Sequence, residues 1–357
     1  MGLTPVYNRV MQVLVIGGSR FIGLAVVQRL LMDGHRITLV NRGRTADPFG
    51  TRVSRVIGDR SDPQTLQRAL ARREFDAVID VIAFREEDTR AAIEKLSGRI
   101  GHFIHISTAS VYLVRERLLA PFREEDFAGR LAPKTEATSS SWTYAYHKRR
   151  CEVALAHAWD GEQFPYTTLR LPMVVGPRDY TERAQTYFER LLDGGPVILP
   201  DGGLNSWGFL WVGDVADTIA ANLMNANAFG RTYNLAQREI VALKQFVETA
   251  AANLGQRPTL ASVPLEWLHR LNLGTAFSPY THDHDIVLDT SAAQRDLLFE
   301  ATPFFTWCER LVADFRDHWD KTPSRLYATR PLELRLVQEL AQLRIPGIGP
   351  AQVTAAR

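Results

Sequence analysis

Two residues four positions apart, Tyr144 and Lys148, are the strongest candidates in this chain for acid–base chemistry. On a helix, residues with this spacing share one face. An ammonium beside a phenol stabilises the phenolate, so it lowers a pKa that is ordinarily about 10 and makes the tyrosine a usable acid or base near neutral pH. The spacing by itself is common by chance, so the assignment depends on a second feature elsewhere in the chain.

Thr108 is that second feature. It follows Ile106 and Ser107 at the end of a short apolar run that predicts a strand. In an α/β protein with a parallel sheet, ligands bind at the carboxyl ends of the strands. A hydroxyl at such an end, together with the tyrosine and the lysine of a following helix, predicts one catalytic site formed by Thr108, Tyr144 and Lys148.

The elements that must hold these residues alternate along the first half of the chain. Short β-branched runs predict strands, and the segments between them have helical apolar spacing. Such alternation is typical of an α/β fold with a doubly wound parallel sheet of the Rossmann type. The predicted strands are 12–16, 36–40, 53–57, 77–82, 103–106 and 166–171, and the predicted helices are about 22–33, 62–73, 86–97 and 142–159.

After Gly176 the alternation weakens and helical patterns predominate, which predicts a smaller, mainly helical C-terminal lobe. We therefore divide the chain into a nucleotide-binding domain over 11–175, a substrate lobe over 176–320 that can interleave with it, and a C-terminal tail over 321–357. The helical patterns of the lobe and tail lie at about 180–192, 214–225, 242–254, 302–319 and 331–343.

The stretch V-I-G-G-S-R-F-I-G joins the first predicted strand to the first helix. In that context, Gly17 can turn tightly off the strand, Gly18 lets the backbone approach a pyrophosphate, and Gly23 lets the helix pack against the strand. The start of the helix points free N–H groups at the phosphates. The alternative is an ordinary strand-to-helix turn that contains glycines. The predicted nucleotide site also includes Ser19, Arg20, Phe21 and Ile22.

The end of the second predicted strand, at Asn41 and Arg42, indicates which dinucleotide binds. An acidic residue there holds the ribose hydroxyls of NAD, whereas an arginine accommodates the 2′-phosphate of NADP. Because Asn41 stands in the place of the acid and Arg42 follows it, NADP(H) is favoured and NAD(H) is the alternative. A solvated basic loop gives the same pattern. After the third strand, Asp59 is a candidate acceptor for the adenine amino group, and Arg60 is included in the same site.

Together these motifs resemble the short-chain dehydrogenase/reductase superfamily in its extended, epimerase-like branch. The resemblance covers about residues 11 to 320, and the matching stretches, in the family's order, are G-G-S-R-F-I-G, G-D-R, H-I-S-T-A-S-V-Y, Y-A-Y-H-K and L-R-L-P-M-V-V-G-P. It implies that Tyr144 is the general acid/base, that Lys148 binds the nicotinamide ribose and that Thr108 hydrogen-bonds the reacting oxygen. It also implies a homodimer. The cofactor site is further expected to include Val81, Ile82, Ala83 and Pro172.

The chain departs from the family's pattern at positions that bear on the substrate. Arg20 leaves a G-G-x-x-x-x-G form, which is similar to a subgroup with proteins labelled as reductases, sugar dehydratases and chloroplast RNA-binding relatives. Ala109 and Ser110 stand where sugar dehydratases of the family carry an Asp-Glu pair, so dehydration through that pair is disfavoured. Met173 and Trp207 stand where nucleotide-sugar enzymes commonly have an asparagine and an arginine.

These last two replacements remove groups that bind a diphosphate. Ser110, Met173 and Trp207 are therefore candidate contacts of a small, non-nucleotide substrate, with the aromatic residues around Trp207 as an apolar wall. The alternative is that these aromatic side chains belong to the core of the smaller lobe. The sequence thus predicts an NADPH-dependent reductase or dehydrogenase that interconverts a carbonyl and an alcohol. The alternatives are a nucleotide-sugar epimerase that retains its cofactor and an RNA-binding protein on the same fold.

The composition disfavours several other classes of protein: nucleic-acid-binding, disulfide-rich and membrane proteins. The 357 residues have a formal net charge of +2 and two cysteines, Cys151 and Cys308. The weak net charge disfavours nucleic acid as a partner. Two cysteines are too few for a disulfide framework and fit a reducing cytoplasm. No apolar stretch is long enough for a membrane helix. The H-D-H-D stretch at 282–285 has metal-ligand spacing, but a polar loop is the favoured interpretation and no metal site is predicted. His102 and His105 are interpreted as structural.

Overall fold

Strands and helices alternate over the first half of the chain. The computed structural model describes residues 9–71, 74–116, 118–135, 139–271, 273–281, 285–342 and 349–350. Its strands are β1 (Gln12–Ile16), β2 (Arg36–Asn41), β3 (Val53–Ile57), β4 (Phe75–Asp80), β5 (Ile100–Thr108), β6 (Tyr166–Leu171), β7 (Met173–Val175), β8 (Val197–Pro200), β9 (Ser206–Trp207), β10 (Phe209–Trp211), β11 (Arg231–Asn234), β12 (Val241–Ala242), β13 (Leu260–Val263) and β14 (Gly349–Pro350). Its helices are α1 (Phe21–Met32), α2 (Pro63–Leu70), α3 (Glu86–Leu96), α4 (Ser139–Glu162), α5 (Arg183–Leu192), α6 (Val212–Ala221), α7 (Leu243–Leu254), α8 (Leu265–Arg270), α9 (Gly274–Phe277), α10 (Ser291–Leu297), α11 (Phe304–His318) and α12 (Arg330–Gln342).

Seven of the strands form one parallel sheet, in the order β11-β6-β5-β4-β1-β2-β3. The order reverses at β1, which lies between β4 and β2. In open parallel sheets, the crevice at such a reversal, outside the carboxyl ends of the strands, is the ligand site. The topology therefore places the loop after β1 in the position where a dinucleotide binds.

Helices cover both faces of this sheet, so its core has two halves. On one face, the apolar side chains of α1, α6 and α10 pack against β1, β2, β4 and β5. On the other face, α2, α3 and α4 pack against the alternate residues of the same strands. Since side chains alternate across a strand, both faces of each central strand are buried, which explains their nearly continuous apolar runs. The predicted doubly wound fold is confirmed.

The seventh strand, β11, was not predicted. Its four residues R-T-Y-N contain a single apolar side chain, and it occupies an edge of the sheet, where an apolar run is not required. It pairs with β6 through Tyr233 opposite Leu169 and Asn234 opposite Arg170. A strand this short and polar has no period-2 pattern to detect.

The later part of the chain is mainly helical, as predicted, and within it β8 pairs with β13 and β13 with β14, while β9 pairs with β12. Its core is aromatic. The Phe209 ring lies 5.8 Å from that of Phe246, 5.3 Å from that of Tyr280 and 5.4 Å from that of Trp307. Such clusters bury large apolar areas with preferred tilted or edge-on geometry.

The chain divides into two compact units whose segments interleave along the sequence. The first takes the residues up to Val174, with Leu210–Ala236 and Leu288–Ala301, and the second takes Val175–Phe209, Gln237–Val287 and the residues from Thr302 on. Helix α12 therefore belongs to the second unit, although the sequence analysis set it apart in a tail. Across the described ranges, no helix combines the length and the apolarity needed to cross a membrane.

Candidate active site

The loop after β1 has the backbone that the glycine motif requires. Gly17 and Gly18 adopt φ values of +109° and +90°, which residues with a Cβ rarely adopt. A Cβ on Gly23 would lie 2.7 Å from the nitrogen and 2.8 Å from the Cα of Gly18, so the start of α1 touches the loop backbone. The loop amide of Gly17 donates to the carbonyl of Val40 at 2.9 Å, which ties the loop to β2.

The start of α1 is open to an anion. Its N-cap residue is Arg20, no side-chain cap is formed by the described residues, and its first turn carries no acidic residue. Phe21 is buried and Ile22 packs against the core, so these two residues can offer a ligand only their backbone amides. Unpaired N–H groups and the helix dipole favour phosphate at this position. The glycine cradle and this helix start fit the pyrophosphate of a dinucleotide.

We expect Gly23→Ala to weaken the binding of NADPH by about tenfold or more, because the added methyl group pushes the helix away from the loop that receives the phosphates. Fluorescence titration of the purified variant with NADPH measures this. Gly161→Ala is the matched control, since a Cβ at that helical position meets nothing within 4 Å. Equal losses in both variants would contradict the proposed cradle.

Polar and basic side chains surround the end of β2. The Asn41 amide donates to Ser19 Oγ at 2.8 Å, and its oxygen accepts the Gly43 amide at 2.9 Å, so Asn41 joins the end of β2 to the glycine loop. Arg20, Arg42 and Arg44 are all exposed. No acidic residue stands at the position that would hold the ribose hydroxyls of NAD.

Asp59 is exposed and lies within the electrostatic reach of Arg42 and Arg44. The backbone amide and the hydroxyl of Ser61 donate to its carboxylate, which holds the pKa of Asp59 below its usual range, and the charges of Arg42 and Arg44 act in the same direction. A carboxylate that stays ionised and exposed can accept the adenine amino group. The role of Asp59 toward the adenine stays a prediction.

Arg60 does not point its charge toward a ligand. Its side chain is 6% exposed, and one terminal nitrogen donates to both oxygens of Asp80 at 2.6 and 2.7 Å. The other terminal nitrogen donates to the carbonyl of Asp88 at 2.7 Å. The inclusion of Arg60 in the cofactor site is therefore corrected: its guanidinium neutralises Asp80 at the end of β4 and fastens α3 to the sheet.

The predicted cofactor residues after β4 and β6 also lie at the carboxyl edge of the sheet. Val81 and Ile82 are half-buried, and a Cβ on Gly17 would lie 3.2 Å from the Ile82 side chain. Ala83 is buried, and its carbonyl accepts a hydrogen bond from Lys148. Pro172, at the end of β6, is half-buried.

Thr108 and Tyr144 both lie in the fold's first unit. Thr108 ends β5, and its hydroxyl donates to Ser110 Oγ at 3.1 Å and accepts the Ser110 amide at 3.2 Å. Tyr144 lies in the first turns of α4 with 41% of its surface exposed. A phenol with this exposure can reach a substrate oxygen. Ser110 hydrogen-bonds to Thr108 through both its hydroxyl and its amide.

Lys148 is buried one helical turn after Tyr144, with 3% exposure. Its ammonium donates to the carbonyls of Ala83 and Ile106, each at 2.7 Å, and lies 3.3 Å from His105 Nε2. An ammonium has three donors, so each has an acceptor in this arrangement. Burial lowers the pKa of Lys148 below its ordinary value. Three acceptors thus hold the Lys148 amine in place one helical turn after Tyr144. To make the ribose contact that the resemblance implies, Lys148 must exchange one of these acceptors for a ribose hydroxyl.

A buried ion pair that sequence reasoning missed lies beside the lysine. Glu152 Oε2 accepts Arg170 Nη2 at 2.6 Å, and both side chains are at most 5% exposed. Ser107 donates to Glu152, and Arg170 also donates to the Tyr112 hydroxyl at 2.7 Å. The available signals were the arginine inside an otherwise uncharged strand and the glutamate four residues after Lys148. This network fixes the end of β5 against α4.

The substrate contacts predicted in the later part of the chain differ in their surroundings. Met173 is half-buried at the start of β7. Trp207 is 3% exposed and lies 6.4 Å from Phe209 in the aromatic core of the second unit. The structure therefore corrects the assignment of Trp207 to an aromatic substrate wall and supports its alternative, a core residue. His282, Asp283 and His284 lie outside the described residues.

Comparison with solved structures places the fold beside nucleotide-sugar enzymes. A dTDP-glucose 4,6-dehydratase from Bacillus anthracis, solved in complex with NAD, superposes with a TM-score of 0.71 at 18% identity and covers 87% of this chain and 98% of that chain. A UDP-glucose 4-epimerase from Thermotoga maritima, solved with UDP-glucose, has a TM-score of 0.69 at 18% identity and covers 86% of this chain and 99% of that chain. At such identities the likeness shows the fold alone.

Two characterised sequences are also similar. The chloroplast stem-loop binding protein of 41 kDa b of Arabidopsis thaliana is 27% identical over 254 residues, which are 67% of this chain and 62% of that protein. The chain thus spans less than two thirds of that relative's length. The 2'-dehydrokanamycin reductase of Streptomyces kanamyceticus is 26% identical over 295 residues, 80% of this chain and 78% of the reductase. Because the sequence profile of the NAD dependent epimerase/dehydratase family matches residues 13–236, well over half of the chain, the chain belongs to that family.

Proposed function

We propose that this family member is an NADP(H)-dependent oxidoreductase that interconverts a carbonyl and an alcohol on a small, non-nucleotide substrate. Three groups of the first unit support the proposal: the Thr108 hydroxyl at the end of β5, the exposed phenol of Tyr144, and, one helical turn later in α4, the buried ammonium of Lys148, which donates to Ile106 of β5. These groups match the acid–base chemistry that such a reaction needs at the oxygen.

In this proposal, Tyr144 donates a proton to the substrate oxygen during reduction and takes it back during oxidation. The Thr108 hydroxyl turns its proton from Ser110 Oγ to the same oxygen and so orients the substrate. The positive charge of Lys148 stabilises the phenolate form of the tyrosine and so brings its pKa toward neutrality. The nicotinamide, when bound, supplies or accepts the hydride.

Several features support a non-nucleotide substrate and a net reduction. Ala109 and Ser110 carry no carboxylate, so the chain lacks the acid and base with which its dehydratase relatives eliminate water. Trp207 provides no cation for a diphosphate. A relative of the chain is named as a reductase of 2'-dehydrokanamycin, which supports a carbonyl on a sugar-like molecule as the class of substrate.

We expect Arg42→Ala to weaken NADPH binding by about tenfold or more while leaving NADH binding within about twofold, because the lost guanidinium would pair with the 2′-phosphate that NADH lacks. Titration of both cofactors against variant and parent measures the ratio. Arg36→Ala, an exposed arginine at the opposite end of β2, is the matched control. A parent protein that binds NADH as tightly as NADPH would contradict the cofactor assignment.

The reaction itself is tested by mixing the protein with NADPH and a panel of ketosugars and simple ketones, and following the consumption of NADPH. Consumption that requires a ketone supports the proposal. Interconversion of UDP- or dTDP-sugars without consumption would favour an epimerase that retains its cofactor. Salt-dependent binding of a stem-loop RNA with no bound nucleotide and no turnover would favour the function named for the chloroplast relative. The homodimer and the cytoplasmic location stay predictions.

A further inference from the structure

Among the described residues, His105 is the one side chain that accepts a hydrogen bond from Lys148. It lies within β5 with no exposed surface, and its Nε2 is 3.3 Å from Lys148 Nζ. An ammonium can only donate, so the facing nitrogen accepts and the proton of the neutral imidazole is on Nδ1. Burial and the neighbouring Lys148 charge hold the pKa of His105 well below its ordinary value, which keeps the ring neutral at ordinary pH.

The other nitrogen of His105 has no hydrogen-bond partner among the described residues. An orphan N–H in a protein core destabilises the fold. His102, three residues earlier in the same strand and equally buried, shows the usual solution: its Nε2 is 2.9 Å from Thr167 Oγ1, and its Nδ1 accepts the Met224 amide at 3.1 Å. A core histidine with one nitrogen unsatisfied points to a task for the other nitrogen.

We propose that His105 is a positioning residue that holds the Lys148 ammonium charged and in place by accepting its third hydrogen bond. This inference rests on the proposed function in so far as Lys148 acts on Tyr144. His105 touches neither the phenol's hydroxyl nor the reacting atoms in this proposal, so it acts only through the lysine.

The other charges around Lys148 set the direction of the effect. Burial is the largest influence, and it lowers the pKa of Lys148. The charged form of the lysine is favoured by Cys151, Asp80 and Glu152 and disfavoured by Arg60. The two backbone carbonyls stabilise the charge from the side of β4 and β5. Removing the imidazole leaves one N–H of a buried ammonium without an acceptor, so the charged form becomes less stable and the pKa of Lys148 falls further.

The measurement is a titration of the lysine itself in the full-length, cofactor-free protein. The chain has only five lysines, at positions 95, 134, 148, 244 and 321, so NMR of protein labelled with 13C at lysine Cε can resolve them. The Lys148 signal is identified by its loss in Lys148→Arg. In His105→Leu we expect the pKa of Lys148 to fall by roughly one to two units relative to the parent.

Two further variants separate positioning from packing. His105→Gln can place its amide oxygen near the Nε2 position and is expected to stay close to the parent value. His102→Leu removes an equally buried histidine that does not contact Lys148 and is expected to leave the Lys148 titration unchanged, whatever it does to stability. If His105→Leu fails to fold, His105→Asn, whose shorter amide does not reach the lysine, is expected to show the same fall.

An unchanged Lys148 pKa in folded His105→Leu or His105→Asn would overturn the inference, as would an equal shift in His102→Leu. A second measurement, the pH profile of turnover, distinguishes failure of this inference from failure of the proposed function. With a ketone substrate, the pH above which NADPH consumption declines should move upward in His105→Leu, because a lysine with less charge leaves Tyr144 with a higher pKa. A shifted lysine with an unmoved pH profile would support the contact and would count against the role of Lys148 on Tyr144.

Discussion

Replacing Tyr144 by phenylalanine is expected to lower kcat for ketone reduction by about 10²–10⁴-fold, the range that a positioned general acid contributes. The phenol is 41% exposed in α4, so its loss removes a hydroxyl without opening a cavity in the core. Because the ring remains, the binding of NADPH should stay within about twofold. Steady-state kinetics with NADPH, together with a fluorescence titration of the cofactor, measures both quantities.

Tyr146→Phe is the matched control for this variant. Tyr146 lies two positions further along the same helix and stacks on Trp142, with 5.0 Å between the ring centroids. Since it points away from the face shared by Tyr144 and Lys148, its hydroxyl should be dispensable for turnover. Full activity in Tyr144→Phe would remove the catalytic assignment, and an equal loss in both variants would show that α4 tolerates no change of this kind.

The sequence predicted most of the first unit because its physical signals are local. Buried parallel strands produce apolar runs, and the loop between β1 and α1 needs glycines at positions with positive φ and at the contact of Gly23 with Gly18. The family resemblance drawn from these motifs is confirmed by the match over residues 13–236. Strand β11 had no such signal, because an edge strand of four mainly polar residues shows no periodicity.

The same local reasoning failed where a side chain's partner is distant in sequence. Arg60 directly follows a predicted adenine contact, but its partner Asp80 lies on the next strand and draws the guanidinium into the interior. Trp207 sits at a family position for a diphosphate ligand, but it is 3% exposed and packs beside Phe209, whose ring contacts aromatic residues of later segments. The charge or aromatic character of a residue determines which interactions its side chain can form. Whether the side chain faces a ligand or the core depends on the fold.

Helix α12 shows this limit most clearly, and it leads to a large expected effect on stability. Arg190 of α5 and Glu333 of α12 have no exposed surface, and Glu333 Oε1 accepts Arg190 Nη2 at 2.5 Å. Glu333 Oε2 also accepts Arg330 Nη1 at 2.6 Å. We expect Glu333→Ala to lower the free energy of unfolding by about 3–5 kcal/mol, because it leaves the charge of Arg190 buried without its counter-ion. Urea denaturation of the full chain and hydrogen exchange of the α12 amides measure the loss.

Two comparisons decide whether the ion pair, rather than the helix alone, accounts for that loss. Glu339→Ala removes the same side chain from an exposed position of α12 and should change stability by no more than about 0.5 kcal/mol. The double variant Arg190→Met, Glu333→Leu removes both buried charges while Arg330 keeps its pair with Asp193 at 2.7 Å. Since an apolar pair of similar volume avoids the desolvation of two ions, the double variant should recover most of the stability. A double variant as unstable as Glu333→Ala would contradict the explanation by an unpaired buried charge.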